Sequence, residues 1–193
     1  MNTKLNSFVI ANPQECIGCK VCEIACAVAH LDKDAKTAGN FDIPVMPRLY
    51  LVKTAEVVMP IQCRHCEDAP CANVCSASAI TQIDNKILID KDKCVGCKTC
   101  MITCPFGAIE LMPIYKDDKP VMQMVLKAET EEGLVEKQAF TASKCDLCAD
   151  RTEGPACVQA CPQKALELIV PQEKKKQRSI DAANRIAASI KSL

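Results

Sequence analysis

The feature that most constrains this chain is where its cysteines fall. The stretch Cys94-Val95-Gly96-Cys97-Lys98-Thr99-Cys100-Met101-Ile102-Thr103-Cys104-Pro105 places three cysteines at every third position, a fourth after three more residues, and then a proline. All 16 cysteines of the 193-residue chain belong to runs of this kind. The first run, Cys16, Cys19, Cys22 and Cys26, keeps the spacing but is followed by Ala27. The second, Cys63, Cys66, Cys71 and Cys75, has four residues between its second and third cysteines. The fourth, Cys145, Cys148, Cys157 and Cys161, has eight there and ends on Pro162. The sequence shows no charged-then-apolar leader, no twin arginine and no run of about 18 apolar residues. A cytoplasmic location is therefore expected, where thiols stay reduced and clustered cysteines serve metals rather than disulfides. Aromatic residues make up only 3% of the chain and Trp is absent, so metal binding is expected to supply folding free energy that a large aromatic core cannot.

The run ending in Pro105 has the spacing by which bacterial-type ferredoxins hold [4Fe–4S] clusters: three thiolates on a tight loop serve one cluster, and the fourth serves a neighbour. Zinc sites are built from two C-x-x-C knuckles or Cys/His mixtures, which these runs do not match. The formal net charge is zero with every Cys counted neutral. Four clusters held by thiolates would bring it to roughly −8, which excludes nucleic acid as a partner because no net positive field attracts phosphates. Only 18 residues separate Cys75 from Cys94, and they read as one hairpin, so the second and third runs pair and the first and fourth pair by elimination. The expected ligand sets are Cys16, Cys19, Cys22 and Cys161; Cys26, Cys145, Cys148 and Cys157; Cys63, Cys66, Cys71 and Cys104; and Cys75, Cys94, Cys97 and Cys100. With every set complete, no iron is left open to substrate and no catalytic residue is assigned.

The expected fold is α+β: two bacterial-ferredoxin-like two-cluster modules, interlocked, with β-hairpin insertions and a C-terminal helix. Runs two and three (about 60–112) form one module. Runs one and four (about 8–31 and 144–170) form the other, so residues 1–170 fold as one body followed by an amphipathic helix over 171–193. Strands are expected at 8–11, 108–112 and 165–170, and a helix at 25–31. Hairpins are expected over 48–59, over 79–90 turning at Asp84-Asn85, and over 121–140 turning at Glu131-Glu132-Gly133. Residues 32–42 read as a surface loop, and Glu67 to Pro70 as a solvent-facing bulge. Ser179 is the expected cap of the last helix, after the basic stretch Lys174 to Arg178. Ile180, Ala183, Ala187 and Ile190 share one helical face, with Ile186 beside it. His65 reads as a donor to a cluster sulfur or a partner contact, His30 as a surface or helix-end residue, Lys20 and Lys98 as solvated, and Met112, Met122 and Met124 as hairpin packing.

Over residues 8–170 the four runs resemble the four-cluster ferredoxin subunits of molybdopterin oxidoreductases and hydrogenase-linked complexes. The stretches Cys63-Arg64-His65-Cys66-Glu67-Asp68-Ala69-Pro70-Cys71, Lys144-Cys145-Asp146-Leu147-Cys148 and Glu153-Gly154-Pro155-Ala156-Cys157 are close to the formate hydrogenlyase type. The resemblance also extends to hydrogen-dependent carbon dioxide reductase. It implies four [4Fe–4S] clusters, the pairing above, and a non-catalytic wire between larger redox subunits of formate dehydrogenase or hydrogenase type, or other ferredoxin-like subunits. A free-standing polyferredoxin shuttle is the alternative. A third reading is a filament or oligomer scaffold that self-associates through the C-terminal helix.

Overall fold

Prolines and glycines at the runs decide how the chain is cut into elements. The computed structural model describes residues 5–31, 44–131 and 133–191. In chain order the elements are β1 (Phe8–Ala11), α1 (Val21–Val28), β2 (Leu49–Lys53), β3 (Val58–Gln62), α2 (Pro70–Asn73), β4 (Ile80–Ile83), β5 (Lys86–Ile89), α3 (Thr99–Thr103) and β6 (Glu110–Pro113). They continue as β7 (Tyr115–Lys116), β8 (Lys119–Pro120), β9 (Met122–Thr130), β10 (Gly133–Gln138), β11 (Phe140–Ser143), α4 (Ala156–Ala160), β12 (Leu166–Ile169) and α5 (Pro171–Lys191).

Among the described residues every sheet is a two-stranded antiparallel ribbon. β1 pairs with β12, so Phe8 faces Ile169 and the two ends of the cysteine-bearing region are zipped together. β6 pairs with β11, with Glu110 opposite Ser143, and so brackets the insertion made by β7 to β10. The 80–89 hairpin turns at Asp84 and Asn85, whose φ values of 49° and 60° are those of the two-residue turn that matches strand twist. Two short helices pack together twice, α1 on α4 and α2 on α3. One core gathers Val9, Leu49, Leu147 and Leu166 with Cys22, Cys26, Cys63, Cys145 and Cys157. The other gathers Ile80, Ile87, Ile109 and Ala142 with Cys71 and Cys100. In both, cysteine sulfur supplies much of the apolar volume.

The structure corrects several expectations. The first helix begins at Val21 and ends at Val28, not at 25–31. In the 49–62 ribbon the second strand starts at Val58, two residues later than expected. Pro70 opens α2 and Ala69 is buried, so only Glu67 and Asp68 of the presumed bulge face solvent. Ser179 does not cap the last helix. α5 starts at Pro171, the expected boundary of the tail segment and a favoured first helical residue, and the Ser179 hydroxyl donates to the Lys175 carbonyl within it. Met124 is 99% exposed on the β9–β10 ribbon rather than packed. The expected loop at 32–42 and the Glu132 position of the 131–133 turn lie outside the described residues.

Candidate functional site

Each run turns at the same place, two residues after its first cysteine, on a left-handed backbone residue: Gly18 (φ 73°), His65 (φ 48°), Gly96 (φ 66°) and Leu147 (φ 60°). The third cysteine then sits at the second residue of a short helix: Cys22 in α1, Cys71 in α2, Cys100 in α3 and Cys157 in α4. Gly96 is needed at this turn. Its φ is +66°, and a Cβ there would lie 3.0 Å from the Phe140 carbonyl oxygen.

The fourth cysteines differ for a sequence reason. A residue before proline is pushed out of the helical region. Cys104 and Cys161, before Pro105 and Pro162, are extended with ψ of 114° and 113° and end their helices. The chain then loops so that the amide four residues on points back: Ala108 donates to Cys104 Sγ at 3.5 Å and Ala165 to Cys161 Sγ at 3.3 Å. Ala79 does the same for Cys75 at 3.3 Å. Cys26 precedes Ala27, so α1 runs through it, and its sulfur is served instead by the Arg48 amide at 3.3 Å, from the residue just before β2.

Three clefts are each lined by four cysteines. Cys16, Cys19 and Cys22 meet Cys161 against Leu51 and Leu166. Cys94, Cys97 and Cys100 meet Cys75 against Ile80 and Leu111. Cys63, Cys66 and Cys71 meet Cys104 against Ile87 and Ile109. The remaining four, Cys26, Cys145, Cys148 and Cys157, are all buried and come together where α1 packs on α4. Cys19 and Cys97 are the exposed members of the sixteen.

These sites fit [4Fe–4S] clusters. Each donor set is sulfur only, the walls are aliphatic, and backbone amides are aimed at the sulfurs, including Ala142 to Cys94 and Leu147 to Cys145 at 3.3 and 3.4 Å. Burial pushes the Cys22, Cys26 and Cys71 thiols up to about 11 and Cys157 up to about 12, and raises Cys145 as well. Without metal these sulfurs are neutral, so metal binding releases their protons. Cys97 moves the other way: the Thr99 hydroxyl beside it lowers its thiol.

Polar residues that sequence reasoning did not connect crowd the buried runs. Asp146 takes hydrogen bonds from His30 Nε2 at 3.0 Å, the Cys148 amide at 3.0 Å and Arg48 Nη1. Burial works to raise its carboxyl, but His30 and Arg48 outweigh it and hold Asp146 well below the usual carboxylate range. His30, Asp146 and Cys148 lie close enough to share a metal ion. The Arg48 guanidinium already on that carboxylate argues against a separate cation. His65 is 1% exposed, which removes it from any partner surface. Burial, with Lys144 adding to it, depresses its imidazole to about 3. Its Nδ1 accepts from the Ile87 amide at 2.9 Å, so Nε2 carries the hydrogen and finds no acceptor among the described residues. A cluster sulfide is the kind of acceptor this leaves room for. Asn6, 2% exposed, ties the N-terminal segment to the second run: its amide donates to Glu67 Oε1 at 2.5 Å and its side chain to the Cys66 carbonyl at 3.4 Å.

A 4Fe-4S binding domain family matches residues 87–110. Over 95% of its length the chain is 38% identical to the electron transport protein HydN of Escherichia coli K12, of which it covers 98%. It is 40% identical to hydrogenase-4 component A of the same strain, covering 96% of this chain and 92% of that one. Formate hydrogenlyase subunit 2 of that strain is 39% identical over 86% of this chain and 82% of its own. In the longer putative oxidoreductase AegA, also from that strain, the 40% identical match spans 86% of this chain but only 22% of AegA.

Proposed function

The chain belongs to the family of [4Fe–4S] ferredoxin-type electron-transfer subunits of hydrogenase and formate hydrogenlyase complexes, and on that premise we propose that it holds four clusters and conducts electrons between larger redox subunits. It is an electron-transfer subunit, not the catalytic one. A bound [4Fe–4S] cluster accepts and releases one electron at a potential set by charge, hydrogen bonds and exposure. The observation that carries the reading is the set of three four-cysteine clefts, each combining three cysteines of one run with the last of another.

On this reading runs two and three form one two-cluster module and runs one and four the other, interlocked through shared cores. Cys22, Cys26, Cys63, Cys145 and Cys157 occupy one core, and Cys71 and Cys100, with Cys104 packed against them, occupy the next. That continuity gives a linear path. It runs from the Cys16/Cys19/Cys22/Cys161 site through the buried Cys26/Cys145/Cys148/Cys157 site and the Cys63/Cys66/Cys71/Cys104 site to the Cys75/Cys94/Cys97/Cys100 site. Exposed Cys19 and Cys97 mark its two ends, where redox partners of hydrogenase and formate dehydrogenase type dock. No helix among the described residues is long and apolar enough to cross a membrane, and the working location is the cytoplasm.

A second reading concerns α5. Residues 173–190 are all exposed, including Ile180, Ile186 and Ile190 at 44%, 62% and 65%. At its base the helix is held by the Lys174–Glu167 ion pair and by the Gln172 side chain, which donates to the Leu5 carbonyl at 3.3 Å. An apolar face left open in this way suits another subunit or a second copy of the chain.

Anaerobic purification from the native host tests the wire. The chain should co-purify with a hydrogenase or formate dehydrogenase, and hydrogen or formate should bleach its cluster absorbance. Recovery of the chain alone, with clusters that neither substrate reduces through any partner enzyme, would favour the diffusing shuttle.

A further inference from the structure

Lys144 is a lysine where a lysine is costly. It is 4% exposed, and among the described residues no carboxylate forms an ion pair with it. Its Nζ donates to two backbone carbonyls, those of Ile87 and Cys145, the latter at 3.1 Å. The first belongs to β5 and lines the cleft of Cys63, Cys66, Cys71 and Cys104. The second belongs to a cysteine of the wholly buried set. The amide of Ile87 is held by His65 and its carbonyl by Lys144, so the outer edge of β5 is closed by two buried side chains. A buried cation with no anionic side chain beside it is retained where something else offsets its charge.

The position of the ammonium is specific: the Ile87 carbonyl it holds belongs to the wall of the Cys63, Cys66, Cys71 and Cys104 cleft, and neither Ile87 nor Lys144 lines the clefts of Cys161 or Cys75. Asp146, half-buried two residues on, is paired with Arg48 and His30 and not with Lys144.

We propose that Lys144 sets the potential of one site: its buried ammonium stabilises the extra negative charge when the cluster held by Cys63, Cys66, Cys71 and Cys104 takes an electron from the redox partner. This rests on the four-cluster reading above. Lys144 is a positioning residue with an electrostatic role, and it ligates nothing. Reduction adds one negative charge to an already anionic group, and a resident positive charge in a low-dielectric interior lowers that cost. Removing the charge must therefore lower the reduction potential there, while the two sites whose clefts contain neither Lys144 nor the carbonyls it holds change little.

The test is an anaerobic redox titration of the purified holoprotein, followed by electron paramagnetic resonance, with iron counted per chain. Lys144→Gln keeps a donor for a carbonyl and removes the charge; Lys144→Arg keeps the charge. The Gln variant should retain wild-type iron and show one cluster whose reduction equilibrium falls at least tenfold, about 59 mV for a one-electron couple. That signal should be the one that Cys71→Ser removes or converts. The Arg variant should restore the potential. If the Gln variant loses iron while the Arg variant keeps both iron and wild-type potentials, the charge is needed to hold the cluster, which also supports the proposal. Unchanged potentials in a fully loaded Gln variant would overturn it, as would an equal shift of all four clusters or iron loss in both variants. Failure of the four-cluster reading is separate, because it would appear in the wild-type iron count.

Discussion

The regular runs and the expanded runs use the same four-cysteine grammar to opposite ends. In runs one and three, two residues separate the second and third cysteines, and the second cysteine is exposed, as Cys19 and Cys97 are. In runs two and four the interval is wider and the corresponding Cys66 and Cys148 are half-buried and buried. The wider interval lets the chain fold over its own sulfurs. Buried polar and charged groups sit at these expanded runs: His65 beside Cys66 and Lys144 before Cys145, with half-buried Asp146 just after it. Short runs therefore present sulfur to the outside, whereas long runs enclose it together with the protein's own charges. An electron path needs both: surfaces a partner can approach, and an interior whose potential the protein controls.

The contrast is broken most strongly by serine substitution on the two sides. Cys145→Ser removes a ligand from a fully buried set and places a hydroxyl in the larger core, so it should cost several kcal/mol and a full cluster of iron. Cys97→Ser, at an exposed ligand, should leave the fold intact, remove or convert one cluster and interrupt transfer. Iron analysis paired with an anaerobic thermal melt distinguishes the two, and equal melting losses would dissolve the contrast. Next in size is Ala27→Pro, which gives the first run the proline that follows the third and fourth. Because α1 continues through Cys26 to Val28, the substitution should break that helix at a cost of about 3 kcal/mol. A stability unchanged in denaturant would mean that α1 does not need its last turn. Smallest is Asp146→Ala, which strips His30 and Arg48 of their shared carboxylate. With all three side chains partly reached by solvent, the loss should be about 2 kcal/mol, below the range of roughly 3–5 for a fully buried pair. An unchanged chemical denaturation midpoint would show that this network contributes nothing to the expanded side.

What the sequence made legible was whatever is written locally. The runs, the Asp84-Asn85 turn and the strands at 8–11 and 166–169 follow from spacing, turn chemistry and short aliphatic stretches. Ala27 was visible as a departure from the proline pattern, yet its consequence, a longer α1 whose Cys26 borrows an amide from Arg48, needed a partner 22 residues away. Long-range polar pairs left no local trace: His30 and Asp146 are 116 residues apart, Lys144 and Ile87 57 apart. The cap of α5 was misplaced at Ser179 because Lys174 to Arg178 resembles a linker, although Lys, Gln and Arg are good helix formers. Met124 was expected to pack within its hairpin, but among the described residues β9 and β10 pair only with each other and leave it exposed.

The most direct test of the central claim is iron and acid-labile sulfide counted per chain in anaerobically purified protein. Four clusters require about sixteen of each, with no zinc. About eight of each, or zinc without sulfide, would contradict the account at its foundation.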